Sequence, residues 1–268
     1  MKLNVQQILD PFTNQTNYLY SFSNTKNFIS GKSVNASLVL KAFDFAYGMS
    51  FGNEGHHRDT RSGGNHPRKN GEKFADTFQG KLAEFAFWQE LKKNSIETHE
   101  PDVKKEPKGK WDTADFEFNN FKIAVKSTKS FGQLLLLETA DWDNEGLYIP
   151  NKESGHEKYD FIVLIRVKPH ISDLLKQHRL LYSNQTNKDF LKKIVLNNKF
   201  EYDIPGFITQ LDLQAMIAHG YVIPKGTYLN RIDENNKMDA ENYYIQSGNL
   251  RNISDFYSTL LQNHQGTV

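Results

Sequence analysis

The chain contains no cysteine. Disulfide bridges and thiolate zinc sites are therefore excluded. No apolar run approaches membrane-spanning length, and the start, Met1-Lys2-Leu3-Asn4-Val5-Gln6-Gln7, lacks the apolar core of a signal peptide. A soluble, cytoplasmic protein with no membrane partner is the expectation. An excess of charge is missing too: 33 Lys and Arg stand against 32 Asp and Glu, leaving a net charge of +1. A polyanionic partner would have to be held by a local basic patch, because the field of the whole molecule gives no help. There is no internal repeat, and no low-complexity segment beyond a general richness in Asn and Lys. What is present is 268 residues, 38% hydrophobic and 13% aromatic, enough for one large domain or a core with a smaller appendage.

Residues 1–70 are expected to form a helical and irregular N-terminal region that ends in a basic loop. Within it, Val34 to Tyr47 has helix-compatible apolar spacing and stops near Gly48. The stretch from Phe51 to Gly71 is rich in Gly and cations, with His56, His57, Arg58, Arg61, His66, Arg68 and Lys69. Such a segment cannot build a core. It suits either a surface loop or one that enters a nucleic-acid groove. The grouping of His56, His57, Asn65 and His66 also raises an HNH-type metal site, but that motif needs a hairpin and helix, and this stretch has too much Gly.

From about Lys73 to Lys93 the spacing of Phe74, Phe78, Leu82, Phe85 and Trp88 predicts a long helix. Glu84 falls on the flank of its apolar stripe and needs a partner, either Lys81 one turn earlier or a cation site elsewhere. Gly80 is locally unfavourable in a helix by roughly 1 kcal/mol relative to Ala. One reason to keep it is close approach of a DNA backbone. Ile96 to His99 reads as an edge strand, Gln133 to Glu138 as a short apolar element, and Tyr159 to Val167 as a buried strand. A partly separate C-terminal lobe is expected over 201–268, with Thr209 capping a helix and strands near Tyr221 and Asn242.

The centre of the sequence is the pair of alternating runs around Asn119-Asn120. Asn-Asn tolerates the positive φ angles of a two-residue hairpin turn, which predicts Phe118 opposite Phe121, Glu117 opposite Lys122, Phe116 opposite Ile123 and Asp115 opposite Ala124. Asp115, Glu117, Lys122, Ala124 and Lys126 then share a polar face. Phe116, Phe118, Phe121, Ile123 and Val125 share the core face.

Asp115, the triplet Ala124-Val125-Lys126 with the Ser127-Thr128 that follows, and a preceding helical Glu84 together resemble the PD-(D/E)xK nuclease superfamily, which includes many type II restriction endonucleases. The resemblance spans roughly residues 70 to 170. It implies an α/β (α+β) fold with a restriction-endonuclease-like core over 71–200, in which helices flank a mixed central sheet. It further implies Mg²⁺-dependent hydrolysis of double-stranded DNA by a homodimer. On that pattern Asp115 and the main-chain carbonyl of Val125 hold the metal, Glu84 supplies or positions a further ligand, and Lys126 orients the attacking water. Ser127, Lys129 and the cations of the 51–71 loop would contact DNA. The departure is Ala124, where the pattern has an acid. Either Glu84 substitutes for that acid or the chain is an inactivated variant. A non-catalytic DNA-binding module and a repair or transposition nuclease are the alternatives.

Overall fold

A computed structural model of the chain describes residues 2–52, 67–103, 114–149, 157–234 and 237–265. In chain order the elements are β1 (Asn4–Leu9), β2 (Thr16–Ser21), β3 (Lys32–Ser33), α1 (Ala36–Ser50), α2 (Asn70–Lys93), β4 (Phe116–Phe118), β5 (Phe121–Lys129), β6 (Leu134–Glu138), β7 (Phe161–Lys168), α3 (Ile171–Gln177), α4 (Lys188–Leu196), β8 (Glu201–Thr209), α5 (Gln210–Ala218), β9 (Val222–Ile223), β10 (Tyr228–Leu229), β11 (Asn242–Gln246) and α6 (Ile253–Gln265). The architecture is mixed α/β. Its centre is a mixed five-stranded sheet of order β3-β8-β7-β5-β4, in which β5 and β7 run parallel and the other neighbours antiparallel.

β7 shows why the sheet is covered on both sides. Its run Phe-Ile-Val-Leu-Ile-Arg-Val is buried throughout, as a strand with two packed faces must be. Phe161, Val163, Ile165 and Val167 point into a cluster with Phe43 of α1, Phe74, Phe78 and Leu82 of α2, and Phe256 of α6. Ile162 and Leu164 point the other way, to Leu135 and Leu137 of β6, Leu213 and Met216 of α5, and Ile245 of β11. Helices thus cover one face. A small sheet, β6-β11-β9, and α5 cover the other.

Two expectations need correction. The first 30 residues are not helical but carry the β1–β2 hairpin, whose inner strand pairs in parallel with β10 through Tyr228 opposite Leu19. That partner lies some 200 residues away, and most positions of β1 face water, so local alternation is faint. Ile96 to His99 forms no strand. Ile96 is fully buried, and the Trp88 indole N–H donates to the carbonyl of Thr98, so the segment folds back on its own helix.

Residues from 201 onward are woven into these layers. β8 lies between β3 and β7, and Pro205 sits inside it where β3 has ended and the β7 register slips between Leu164 and Arg166. Gly206 has φ +149°, and a Cβ there would stand 2.2 Å from the Arg251 carbonyl. Only glycine lets residues 250–251 lie against the sheet at that point. Thr209 caps α5 as expected: its hydroxyl accepts from the Asp212 N–H, and its own N–H donates to the Asp212 carboxylate.

Candidate functional site

The hairpin forms in the expected register, with Phe118 opposite Phe121, Glu117 opposite Lys122 and Phe116 opposite Ile123. Asn119 and Asn120 take φ values of 47° and 67°, the left-handed pair a two-residue turn requires. The ladder then stops one pair short of the expectation, because β4 begins at Phe116 and Asp115 lies outside it. Instead of pairing with Ala124, Asp115 uses its side chain: the Val125 N–H donates to Asp115 Oδ2 at 2.6 Å. Within a strand the N–H and C=O of one residue point to the same side. The Val125 carbonyl is therefore directed to the strand edge that Asp115 occupies.

Lys126 is the next residue and leaves β5 on the opposite face from Val125. It is half-buried, with Nζ 6.0 Å from the centre of the Tyr148 ring, and makes no ion pair among the described residues. Tyr148 is fixed edge-on against Trp142 and Tyr159. The face that carries Lys126 is not the wet face expected from alternation. Ala124 is 3% exposed and packs in the cluster of Leu135, Leu137, Ile162 and Leu164, because β6 and its neighbours lie over it. Lys122, at the turn end of that face, pairs with Glu157 at 2.6 Å, and its N–H donates to Asp160. The bond that the Lys122 ammonium donates to Glu157 raises its pKa.

Glu84 takes the local partner. It pairs with Lys81 at 2.5 Å, both side chains largely buried, and the Lys81 ammonium lies 4.9 Å from the Phe45 ring of α1. A polar residue of α2 that reaches β5 is Gln79, whose amide donates to Ser127 Oγ at 3.4 Å. Five residues at 100° each turn Glu84 about 140° around the helix from Gln79, so it does not join Asp115 through that face. Gln79 escaped the sequence reading. Its signal was a polar residue four positions from both Ala75 and Ala83, buried alanines that let the helix approach the sheet.

The expected DNA-contacting residues are placed as follows. His56, His57, Arg58 and Arg61 lie outside the described residues. Arg68 pairs with Asp76 at 2.9 Å, and the Lys69 N–H donates to Glu72 at the start of α2. Lys129 stands 3.6 Å from Asp173. Beside it, His170 Nε2 accepts the Ser130 N–H at 3.0 Å while Nδ1 meets Asp173 at 3.0 Å. Burial lowers the His170 pKa, with the Asp173 bond opposing, which suits a neutral ring that accepts through Nε2.

Comparison of the chain with protein-family models, with curated proteins and with solved structures returns no match. The donors therefore have to be weighed on their own chemistry. A carboxylate from Asp115 beside the carbonyl of Val125 makes a pair of hard oxygen donors, the kind Mg²⁺ takes when water and substrate phosphate complete its shell. The set fits such an ion in kind, with one protein carboxylate where an acid at position 124 would make two.

Proposed function

We propose that the chain is a Mg²⁺-dependent DNA endonuclease with a restriction-endonuclease-like core, acting on double-stranded DNA as a homodimer. The single observation that carries this reading is Asp115 held at 2.6 Å by the Val125 N–H, with Lys126 next along the same strand. Asp115 and the Val125 carbonyl would hold the ion, which when bound supplies positive charge to the scissile phosphate and makes a bound water more acidic. The remaining work falls to the chain. The Val125 N–H fixes the carboxylate so that it needs no reorganisation. The Lys126 ammonium, with no carboxylate partner among the described residues, would orient water and neutralise charge developing on the phosphate.

The test is plasmid and duplex cleavage by the chain and by Asp115→Asn and Lys126→Ala, with and without Mg²⁺. Cutting that needs Mg²⁺ and falls by about 10²- to 10⁴-fold in Lys126→Ala is the expected result. Duplex affinity measured without Mg²⁺ should stay within a few-fold of the parent. Full cutting by Lys126→Ala would falsify the assignment. A second reading is supported by the apolar burial of Ala124: a DNA-binding module that retains the fold without the second carboxylate. It is the one left if neither the chain nor Ala124→Glu cuts any DNA tested while duplex binding persists.

A further inference from the structure

Basic charge in this chain is unevenly placed. Residues 176–199 hold six Lys and Arg and a single acid, Asp189, while the chain as a whole is nearly neutral. Tertiary structure gathers this segment. The His178 ring at the end of α3 meets Phe190 of α4 edge-on at 5.8 Å, so Lys176, Arg179, Phe190 and Lys193 come to one exposed surface. On α4, Phe190, Lys193 and Asn197 recur at steps of three and four along the exposed side. Lys69 adds to the same region, because the neighbouring Asn70 N–H donates to Asn184 Oδ1 at 3.2 Å in the α3–α4 connection.

Several basic residues elsewhere on the molecule are answered by an acid. Lys237, Arg251 and Arg231 are each paired with a carboxylate, Asp10, Asp212 and Asp233. Lys176, Arg179, Lys193 and Lys199 make no ion pair among the described residues, although Lys176 and Lys199 act at longer range on Asp173 and Glu201; Lys188 is paired with Asp44. Arg179 also occupies a left-handed backbone position, φ +58°, where Gly or Asn is the less strained choice. Tyr182 and Phe190 are 64% and 48% exposed beside these charges. Exposed cations with Tyr182 and Phe190 beside them suit a phosphodiester backbone: the cations displace its counterions and the rings pack on sugar edges.

We infer that the surface formed by the end of α3, the α3–α4 connection and the exposed side of α4 is a docking site for the phosphate backbone of duplex DNA. This rests on the endonuclease reading for its choice of DNA. The test uses the full chain without Mg²⁺, a mixed-sequence DNA duplex, the matching single strand and phosphatidylserine vesicles, with affinity measured from 50 to 200 mM salt. Three lost phosphate contacts lower the salt slope by about 2.7, so affinity in the triple variant Lys176→Gln, Arg179→Gln, Lys193→Gln should fall roughly 40-fold less across that range than in the parent. The charge-retaining variant Lys176→Arg, Arg179→Lys, Lys193→Arg should bind as the parent does, with both melting at the parent temperature. A parent that binds duplex while the triple Gln variant keeps its slope overturns the docking site and leaves the endonuclease reading standing. Duplex binding that responds as expected, with no cutting under any condition, supports the docking site and sinks the catalysis. Preference for the single strand or for vesicles over duplex overturns the inference.

Discussion

Ala124 and Lys126 leave β5 on the same side, one against Leu135 and Ile162, the other beneath Tyr148. An acid at 124 would share this apolar setting, where an uncompensated carboxylate is costly. Ala124→Glu is therefore expected to lower stability by about 1–3 kcal/mol in the presence of a chelator. Added Mg²⁺ should recover much of that loss, since an ion bound to the folded state stabilises it by mass action. Thermal melts of parent and variant with chelator and with Mg²⁺ measure this directly. A variant whose melting temperature answers to Mg²⁺ no more than the parent's would rule out a two-carboxylate site at this strand. The placement of Glu84 sharpens the question, because its ion pair with Lys81 makes it a poor replacement for the acid at 124.

At the scale of elements, α2 is the scaffold for everything around β5. Its 24 residues bury Phe74, Phe78, Leu82 and Phe85, yet it contains Gly80 in mid-helix. A Cβ built there meets nothing within 4 Å, so no packing in the folded chain requires glycine. Gly80→Ala should raise stability by roughly 0.5–1 kcal/mol, through helix propensity and a less flexible unfolded chain. A denaturant midpoint that rises with unchanged slope is the expected signature. If the vacant space above Gly80 is where DNA comes close, the same variant loses duplex affinity; equal affinity would dismiss that explanation for the glycine.

For the molecule as a whole, the joint between the N-terminal segment and the central sheet is a buried charge pair. Arg166 is fully buried, and its guanidinium makes two bonds to Asp203, at 2.9 and 2.6 Å, and donates to the carbonyls of Lys26 and Asn27. Asp203 also accepts the Ile29 N–H. Removing one partner leaves a charge stranded in the interior, so Asp203→Ala is expected to cost about 3–5 kcal/mol. Replacing both, as Arg166→Met with Asp203→Leu, should recover part of it, to the extent that the strap of residues 26–29 tolerates losing the Arg166 donors and the Asp203 acceptor. Equilibrium unfolding of Asp203→Ala, and of Arg166→Met, Asp203→Leu and their double variant as a double-mutant cycle, checks this; additive losses in the cycle would show that the pair does not act as a unit.

Much of this was determined by local sequence. The hairpin register came from Asn119-Asn120 and the alternation around it, since a two-residue turn leaves one pairing. The long helix came from aromatic residues at steps of three and four, the buried strand from the apolar run through Phe161, and the α5 cap from Thr209 with Asp212 three positions on. Each is decided by residues within a turn or two of one another. Tertiary structure decided the rest. Alternation told which residues of β5 share a face, but the packing of β6, β11 and α5 over it makes the Ala124 face a second core. Helical geometry put both Glu84 and its partner Lys81 on α2, while the packing of α1 set Phe45 beside the Lys81 ammonium. The β1–β2 hairpin depended on pairing with β10, and the basic surface on the meeting of His178 with Phe190. Contacts of that range carry no local pattern, because the residues that make them are brought together only by the closing of the layers.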